Sequence, residues 1–504
     1  MITGKYKELY DELLKTIPSG RVYHDPLSTL AFGTDASFYR LIPKLVIFAN
    51  SEEEVCTINR LAHKYNIAVT YRAAGTSLSG QAISDSILVF ATHGWEKHQV
   101  LDNGLKIRLQ PGVRGYRANG YLLKYGRKIG PDPASIDSAM IGGIAANNAS
   151  GMCCGTSENS YKTVSDIRLV IADGTVLDTS SEQSRRDFLN SHSHIIEGLE
   201  SLSSEVNANI ELSEKIRRKF KMKNTTGYSL NALTDYNDGF EILKHLIIGS
   251  EGTLGFISDI TYNTVIEHPE KALALIIFKS VEDACNAVIN LKKMPVSAVE
   301  IMDRANIRSV EDYKGVPEYL KTIGNSACAL LVESRAANRP DLDKNLVQIK
   351  QSISDIPVEL PYEFTYDKKE QAILWKIRKE SFPTVAGMRK SGNTPIIEDI
   401  CFPVPKLAEA TLALQKLFIK HGYDDAVIFG HALEGNLHFV FNQDFGVESE
   451  VKRYEEFMDD VASLVVDVYD GSLKAEHGTG RNMAPYVEKE WGKEAYELMK
   501  KIGL

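Results

Sequence analysis

Residues 45–81 constrain this chain more than any other stretch, because they spell a strand, a capped helix and a second strand that runs unbroken into a loop of small residues. Leu45-Val46-Ile47-Phe48-Ala49 is a short apolar run of the kind a buried strand needs. Ser51 with Glu54 makes a capping box, and Val55, Ile58, Leu61 and Tyr65 repeat behind it at helical spacing. Ile67-Ala68-Val69-Thr70-Tyr71 then delivers the chain into Arg72-Ala73-Ala74-Gly75-Thr76-Ser77-Leu78-Ser79-Gly80-Gln81. The result is a β-α-β unit ending in a loop whose backbone N–H groups can approach a pyrophosphate closely. The loop is neither a Walker loop nor a GxGxxG turn.

Around this unit the chain reads as α+β. An amphipathic helix is expected over 5–17, a further strand at 86–92, and short strands from 100 to 180 with a hairpin at Asp173-Gly174. Residues 180–215 read as helical and solvent-facing. From 263 to 425 strands (273–278, 297–302, 327–334) alternate with helices, which predicts a separate sheet covered on one face. With 504 residues, two or three domains are expected. The formal charge of -9 argues against nucleic acid or anionic lipid as partner. No stretch approaches the roughly 20 apolar residues of a membrane span, and no signal peptide is visible at the N-terminus, so a cytoplasmic protein is expected. The six cysteines form no CxxC pair, and reduced thiols follow.

Two more segments share the character of the first loop. One is Pro131-Asp132-Pro133-Ala134-Ser135 with Ile141-Gly142-Gly143-Ile144-Ala145-Ala146-Asn147-Asn148-Ala149-Ser150-Gly151; the other is Gly249-Ser250-Glu251-Gly252-Thr253-Leu254-Gly255-Phe256-Ile257. Close packing alone explains small residues in any one of them. Together, in this order, they resemble the FAD-binding domain of vanillyl-alcohol oxidase-type flavoproteins, in particular the FAD-linked D-lactate, glycolate and D-2-hydroxyglutarate dehydrogenases. The resemblance implies a two-subdomain FAD-binding domain over 1–265 and a cap domain with an antiparallel sheet over 266–425. Residues 426–504 would be a metal and catalytic segment returning to the first domain, cut short of the relatives' C-terminal end. It also implies contacts to FAD from Arg72, Ala73, Ala74, Gly75, Thr76, Ser77, Gly80, Gln81, Pro131, Asp132, Ser135, Gly142, Gly143, Ala146, Asn147 and Gly151, with Glu251, Gly252 and Ile257 on the adenine side. The first loop lacks the histidine that tethers flavin in some relatives, so the FAD is expected to be non-covalent.

The segment Val427-Ile428-Phe429-Gly430-His431-Ala432-Leu433-Glu434-Gly435-Asn436-Leu437-His438-Phe439-Val440-Phe441 reads as two strands about a tight turn. With Glu434 and Gly435 as the turn, His431 and His438 become direct cross-strand partners, about 5 Å apart at Cβ. Glu476 and His477 adjoin in Lys474-Ala475-Glu476-His477-Gly478; on an extended strand they point to opposite sides, so one can bind a metal while the other faces a different cavity. The resemblance assigns His431, His438 and Glu476 to a divalent metal (zinc first, manganese or iron as alternatives), His477 to the general base, and Arg378 to the substrate carboxylate. A lysine that D-2-hydroxyglutarate enzymes add falls here in the acidic Pro395–Asp399 segment, which favours a monocarboxylic acid such as D-lactate over D-2-hydroxyglutarate. Lys223-Asn224-Thr225-Thr226-Gly227-Tyr228 resembles a family segment near the flavin, and reads equally well as a plain turn. The implied partners are the hydroxy acid and an external electron acceptor, an iron–sulfur protein or region or a quinone, with a homodimer compatible. The competing readings are a non-catalytic flavin-binding subunit and a metallohydrolase in which the loops merely pack.

Overall fold

The computed structural model describes residues 2–503. The β-α-β unit forms as read: Leu45–Phe48 and Val69–Arg72 both lie parallel to Ile87–Phe90, in a four-stranded sheet edged by Val22–Tyr23. Ser51 Oγ accepts from the amide of Glu54 at 3.3 Å and starts the helix Glu52–Tyr65. The Glu54 carboxylate caps one residue earlier, accepting from Asn50 at 2.8 Å. The N-terminal helix is shorter than expected, Lys5–Leu13, and buries Leu9 and Leu13 against this sheet.

A five-stranded antiparallel sheet follows, in the order His98–Leu101, Lys106–Leu109, Phe256–Asn263, Val164–Val170, Val176–Asp178. Its central strand comes from beyond residue 250, so the third small-residue loop is delivered beside the first two. The expected Asp173-Gly174 hairpin joins its last two strands. Residues 180–215 are helical but not wholly solvent-facing. The helices Glu182–Ala208 and Ile210–Lys219 bury Phe188, Ile196, Val206 and Ile216, because their apolar residues recur along one face.

The third sheet has six antiparallel strands, in the order Glu270–Phe278, Cys328–Ala336, Ala298–Met302, Val427–His431, Asn436–Gln443, Thr394–Cys401. Helices cover both of its faces, where one covered face was expected. Ala272, Ala274 and Ile276 enter one core with the helices Val281–Leu291 and Leu407–Lys420, while Leu273, Leu275 and Ile277 enter another with Arg304–Val310 and Lys368–Lys379. Continuous rather than alternating apolar strands are what such double burial requires. The hairpin after residue 425 is built into the middle of this sheet, not set apart from it; the chain crosses back toward the first two sheets only at Gly471–Gly480. Among the described residues no helix is long and apolar enough to cross a membrane. The six cysteines are unpaired.

Candidate functional site

The second face of the six-stranded sheet carries, among its apolar residues, a row of polar side chains across four adjacent strands. Glu300 pairs in register with His431, His431 with Asn436, and His438 with Asp399. His431 and His438 are therefore diagonal neighbours, not the direct partners expected. The turn holds four residues, Ala432–Gly435, and Gly435 takes φ 69° with Phe402 O only 1.9 Å from where a Cβ would stand. Both histidines still share one face, and Glu476 comes in from a separate segment to complete a triangle. His431 Nε2 is 3.0 Å from Glu476 Oε1, and His438 Nε2 lies 3.4 Å from each of the other two atoms.

That triangle fits a divalent ion. Bonds of ~2.0–2.1 Å in tetrahedral geometry set ligand atoms about 3.3–3.4 Å apart. His431 Nδ1 donates to Glu300 Oε1 at 2.6 Å; its Nε2, 3.0 Å from Glu476 Oε1, carries the second proton of an imidazolium when no ion is bound and becomes a ligand atom when one is. Burial alone would lower the pKa of His431, but Glu300 and Glu476 outweigh it and raise the value. Glu476 is held well below its ordinary value: burial pushes it up, and His431 and Lys223 more than offset this. Its second oxygen, Oε2, accepts from Lys223 Nζ at 2.6 Å and Ser150 Oγ at 3.0 Å.

Glu476 and His477 do not sit on a strand, so the expected separation into two cavities does not arise. The segment is irregular, with Asp399 Oδ2 accepting from both consecutive amides, Glu476 at 2.6 Å and His477 at 2.8 Å. Both side chains reach one cavity of about 280 Å³. His477 stacks on His438 with ring centroids 4.9 Å apart, and its buried Nδ1 has no hydrogen-bond partner among the described residues. Burial lowers its pKa to about 4, so the imidazole is neutral at pH 7.

The three loops converge on the same segment through one side chain each. Gln81 Nε2 donates to His477 O at 2.8 Å, Asn147 Nδ2 donates to Glu476 O at 2.8 Å, and Glu251 Oε1 accepts from Gly480 N at 3.1 Å. Gly478, at φ 78°, lies where they meet; a Cβ there would stand 2.3 Å from Asn147 Oδ1 and 2.5 Å from Glu251 Oε1. These three residues thus hold the Glu476–Gly480 backbone as well as lining the cavity.

Of the residues expected at FAD, Ala73, Ala74, Gly75, Thr76, Ser77, Gln81, Ser135, Gly143, Ala146, Asn147 and Glu251 line the larger cavity. Arg72, Gly142, Gly252 and Ile257 line an adjoining one of about 80 Å³, which shares Ala73, Gly143, Ala146 and Glu251 with the first. Gly80, Pro131, Asp132 and Gly151 line neither. Asp132 is turned away, its carboxylate accepting from the amides of Cys153 and Cys154, and Gly80 packs on Tyr39 and Arg481. The larger cavity offers a wall suited to an anionic group: from Ala74 to Leu78 no backbone N–H has an intramolecular acceptor among the described residues. Arg378 is buried and lines neither cavity; it lies 4.5 Å over the Phe429 ring, with Nε donating to Glu300 Oε2 at 2.7 Å.

Glu300, Asp399 and Ser150 are site residues that the sequence reading passed over, and Lys223 one that it left undecided. Their only local signals are a lone acid in the apolar strand Ala298–Met302 and an acidic pair in Ile396–Ile400. Glu398, the other half of that pair, is fully buried against Lys474 Nζ at 2.8 Å, so the segment offers the cavity no free cation.

Residues 43–180 match the FAD binding domain family, and residues 267–503 match the family of FAD linked oxidases, C-terminal domain. A mitochondrial D-lactate dehydrogenase (cytochrome) of Arabidopsis thaliana is 26% identical over 100% of this chain and 79% of its own length. The glycolate oxidase subunit GlcD of Escherichia coli is 26% identical over 93% of this chain and 82% of its own. D-2-hydroxyglutarate dehydrogenase of Haemophilus influenzae is 24% identical over 94% of this chain, which spans only 48% of that relative. Among solved structures, p-cresol methylhydroxylase with substrate bound superposes over 100% of this chain and 94% of its own, with a TM-score of 0.70 at 11% identity. An alkyldihydroxyacetonephosphate synthase does so over 99% and 82%, with a TM-score of 0.65 at 15% identity.

Proposed function

This chain belongs to the FAD-linked dehydrogenases of the D-lactate, glycolate and D-2-hydroxyglutarate type, and from that premise we propose that it oxidises a D-2-hydroxy acid, D-lactate first, to the 2-oxo acid. The observation that carries the reading is a single cavity walled by the free amides of Ala74–Leu78 and also by Glu476 and His477. When bound, non-covalent FAD supplies a two-electron acceptor and a divalent ion, zinc first, supplies a Lewis acid that acidifies the substrate hydroxyl.

The chain's own residues supply the rest. His431, His438 and Glu476 hold the ion, and Lys223 and Ser150 keep Glu476 ionised and aimed at it. His477, neutral because buried, accepts the hydroxyl proton as the C2 hydride leaves. Asp399 fixes the backbone from which both Glu476 and His477 project. Arg378 does not line the cavity, but among the described residues it hydrogen-bonds only through Nε, which leaves its terminal nitrogens as the candidate partner of the substrate carboxylate. Lys474 is closed onto Glu398 and so is not free for the second carboxylate of a dicarboxylic acid, which supports D-lactate over D-2-hydroxyglutarate.

An absorbance spectrum before and after anaerobic D-lactate, with metal analysis of the same sample, tests this. The expected protein is yellow, holds one divalent ion and bleaches with D-lactate. Yellow protein that D-lactate, glycolate and D-2-hydroxyglutarate all fail to bleach is a flavin-binding subunit, and the reading falls. Steady-state rates on the three acids with a dye acceptor order the substrates. A cytoplasmic location belongs to the same reading; six unpaired thiols suit any reducing compartment, and cell fractionation checks the cytoplasm against the mitochondrial location named for the Arabidopsis relative.

A further inference from the structure

Glu300 is a charged residue in the middle of an otherwise apolar strand, and the reaction as proposed gives it no part. Its neighbours Val299 and Ile301 face one core and Met302 the other, and its own side chain has no solvent exposure. Leaving a carboxylate there is costly unless both oxygens are used. Both are: Oε1 accepts from His431 Nδ1 at 2.6 Å and Oε2 from Arg378 Nε at 2.7 Å. The first bond fixes the His431 tautomer, leaving Nε2 to Glu476 and His438. The second fixes the roll of the guanidinium against Phe429 by its inner nitrogen, so that the terminal nitrogens stay uncommitted.

We propose that Glu300 is a positioning residue that joins the two halves of the substrate site, holding His431 in its metal-binding tautomer and Arg378 in its carboxylate-binding orientation with one carboxylate. The inference rests on the function proposed above. It accounts for an acid at this position by geometry: only a carboxylate presents two acceptors to two donors on opposite sides. A glutamine turns an N–H₂ group toward one of them, and aspartate, one methylene shorter, reaches only one.

The test uses FAD-loaded protein and two constants: the zinc dissociation constant, measured by chelator competition on metal-stripped protein, and KM for D-lactate at saturating zinc. Glu300→Gln is expected to weaken zinc about 10–100-fold, the usual effect of losing an outer-shell partner of a metal histidine, and to raise KM about tenfold. Arg378→Ala raises KM and leaves the zinc constant nearly unchanged. In the Arg378→Ala background, Glu300→Gln then raises KM no further while still weakening zinc, a split that a merely structural role does not produce. An unchanged zinc constant in Glu300→Gln, or KM effects that multiply in the double variant, overturns the proposal. Should Glu300→Gln yield no soluble yellow protein, Glu300→Asp carries the same two readouts, with a loss in at least one constant expected and wild-type values in both refuting. Wild-type protein that neither takes up zinc nor oxidises D-lactate refutes the proposed function itself; a competent wild type beside an indifferent Glu300 variant refutes only this inference.

Discussion

The two ends of the site are built from opposite materials. At the loop end, Ala74–Leu78 offer main-chain N–H groups on a run of small residues, and what is displayed is backbone. At the sheet end, the side chains of Glu300, His431, His438 and Asp399 stand on one sheet face and meet Glu476 and Lys223 from separate segments, all six buried. A backbone site depends on chain conformation and tolerates side-chain truncation. A buried charge cluster tolerates almost none, because each deletion strands a partner.

The largest expected effect breaks the sheet end. Lys223→Met removes the cation from Glu476 Oε2 and leaves a buried carboxylate with only Ser150 on that oxygen. Breaking a buried pair on one side costs about 3–5 kcal/mol, read as a fall in the urea midpoint. A loss below about 1 kcal/mol would mean that water reaches Lys223 and that the cluster is not closed. His477→Gln comes next and sharpens the contrast within the same end. His477 lines the cavity and its Nδ1 is unpartnered, so its loss should cost about 10²–10⁴-fold in kcat with little change in thermal midpoint. A variant that keeps kcat within threefold removes His477 from the chemistry.

The same contrast decides what could be read from sequence. The loop end was legible because its chemistry is local: a strand, a capped helix and a run of small residues within 45–81 announce it. The sheet end was legible only where strand periodicity applies. His431 and His438 fall on one face for any even spacing through the turn, so the pair was found although the turn was read two residues too short. Glu300 lies 131 residues from His431, and Asp399 is 39 before His438 in sequence yet opposite it in register. Strand order, not local pattern, brings them together. Arg378 was found by resemblance, but its attachment to Glu300 depends on how the helix Lys368–Lys379 lies on the sheet.

Glu251 stands between the two ends and gives a smaller, pH-dependent effect. Burial raises its carboxyl from 4.5 to about 7 while it accepts from Gly480. Between those values the folded state holds a proton that the unfolded chain has released, so this group's contribution to stability falls as pH rises from 4.5 toward 7. Asp259 and Asp303, each raised to about 6 by burial, act in the same direction. Subtraction is therefore needed: the stability of wild type minus that of Glu251→Gln, measured across pH 4–8 on flavin-free protein, should decline with pH in that window. A flat difference would place Glu251 in contact with solvent.

The smallest effect is expected at the loop end. Thr76 and Ser77 both line the cavity, and their hydroxyls look like the obvious ligands for a diphosphate. If the amides of Ala74–Leu78 carry the binding, truncating the hydroxyls removes at most one neutral hydrogen bond each, about 0.5–1.5 kcal/mol. Thr76→Ala and Ser77→Ala should then each weaken FAD by no more than about tenfold, measured by titrating flavin-free protein. The main-chain conformation is unchanged by either substitution, so the donors that matter remain in place. A loss of a hundredfold or more in a single variant would show that side chains, not backbone, hold the diphosphate, and the two ends of the site would then be built alike.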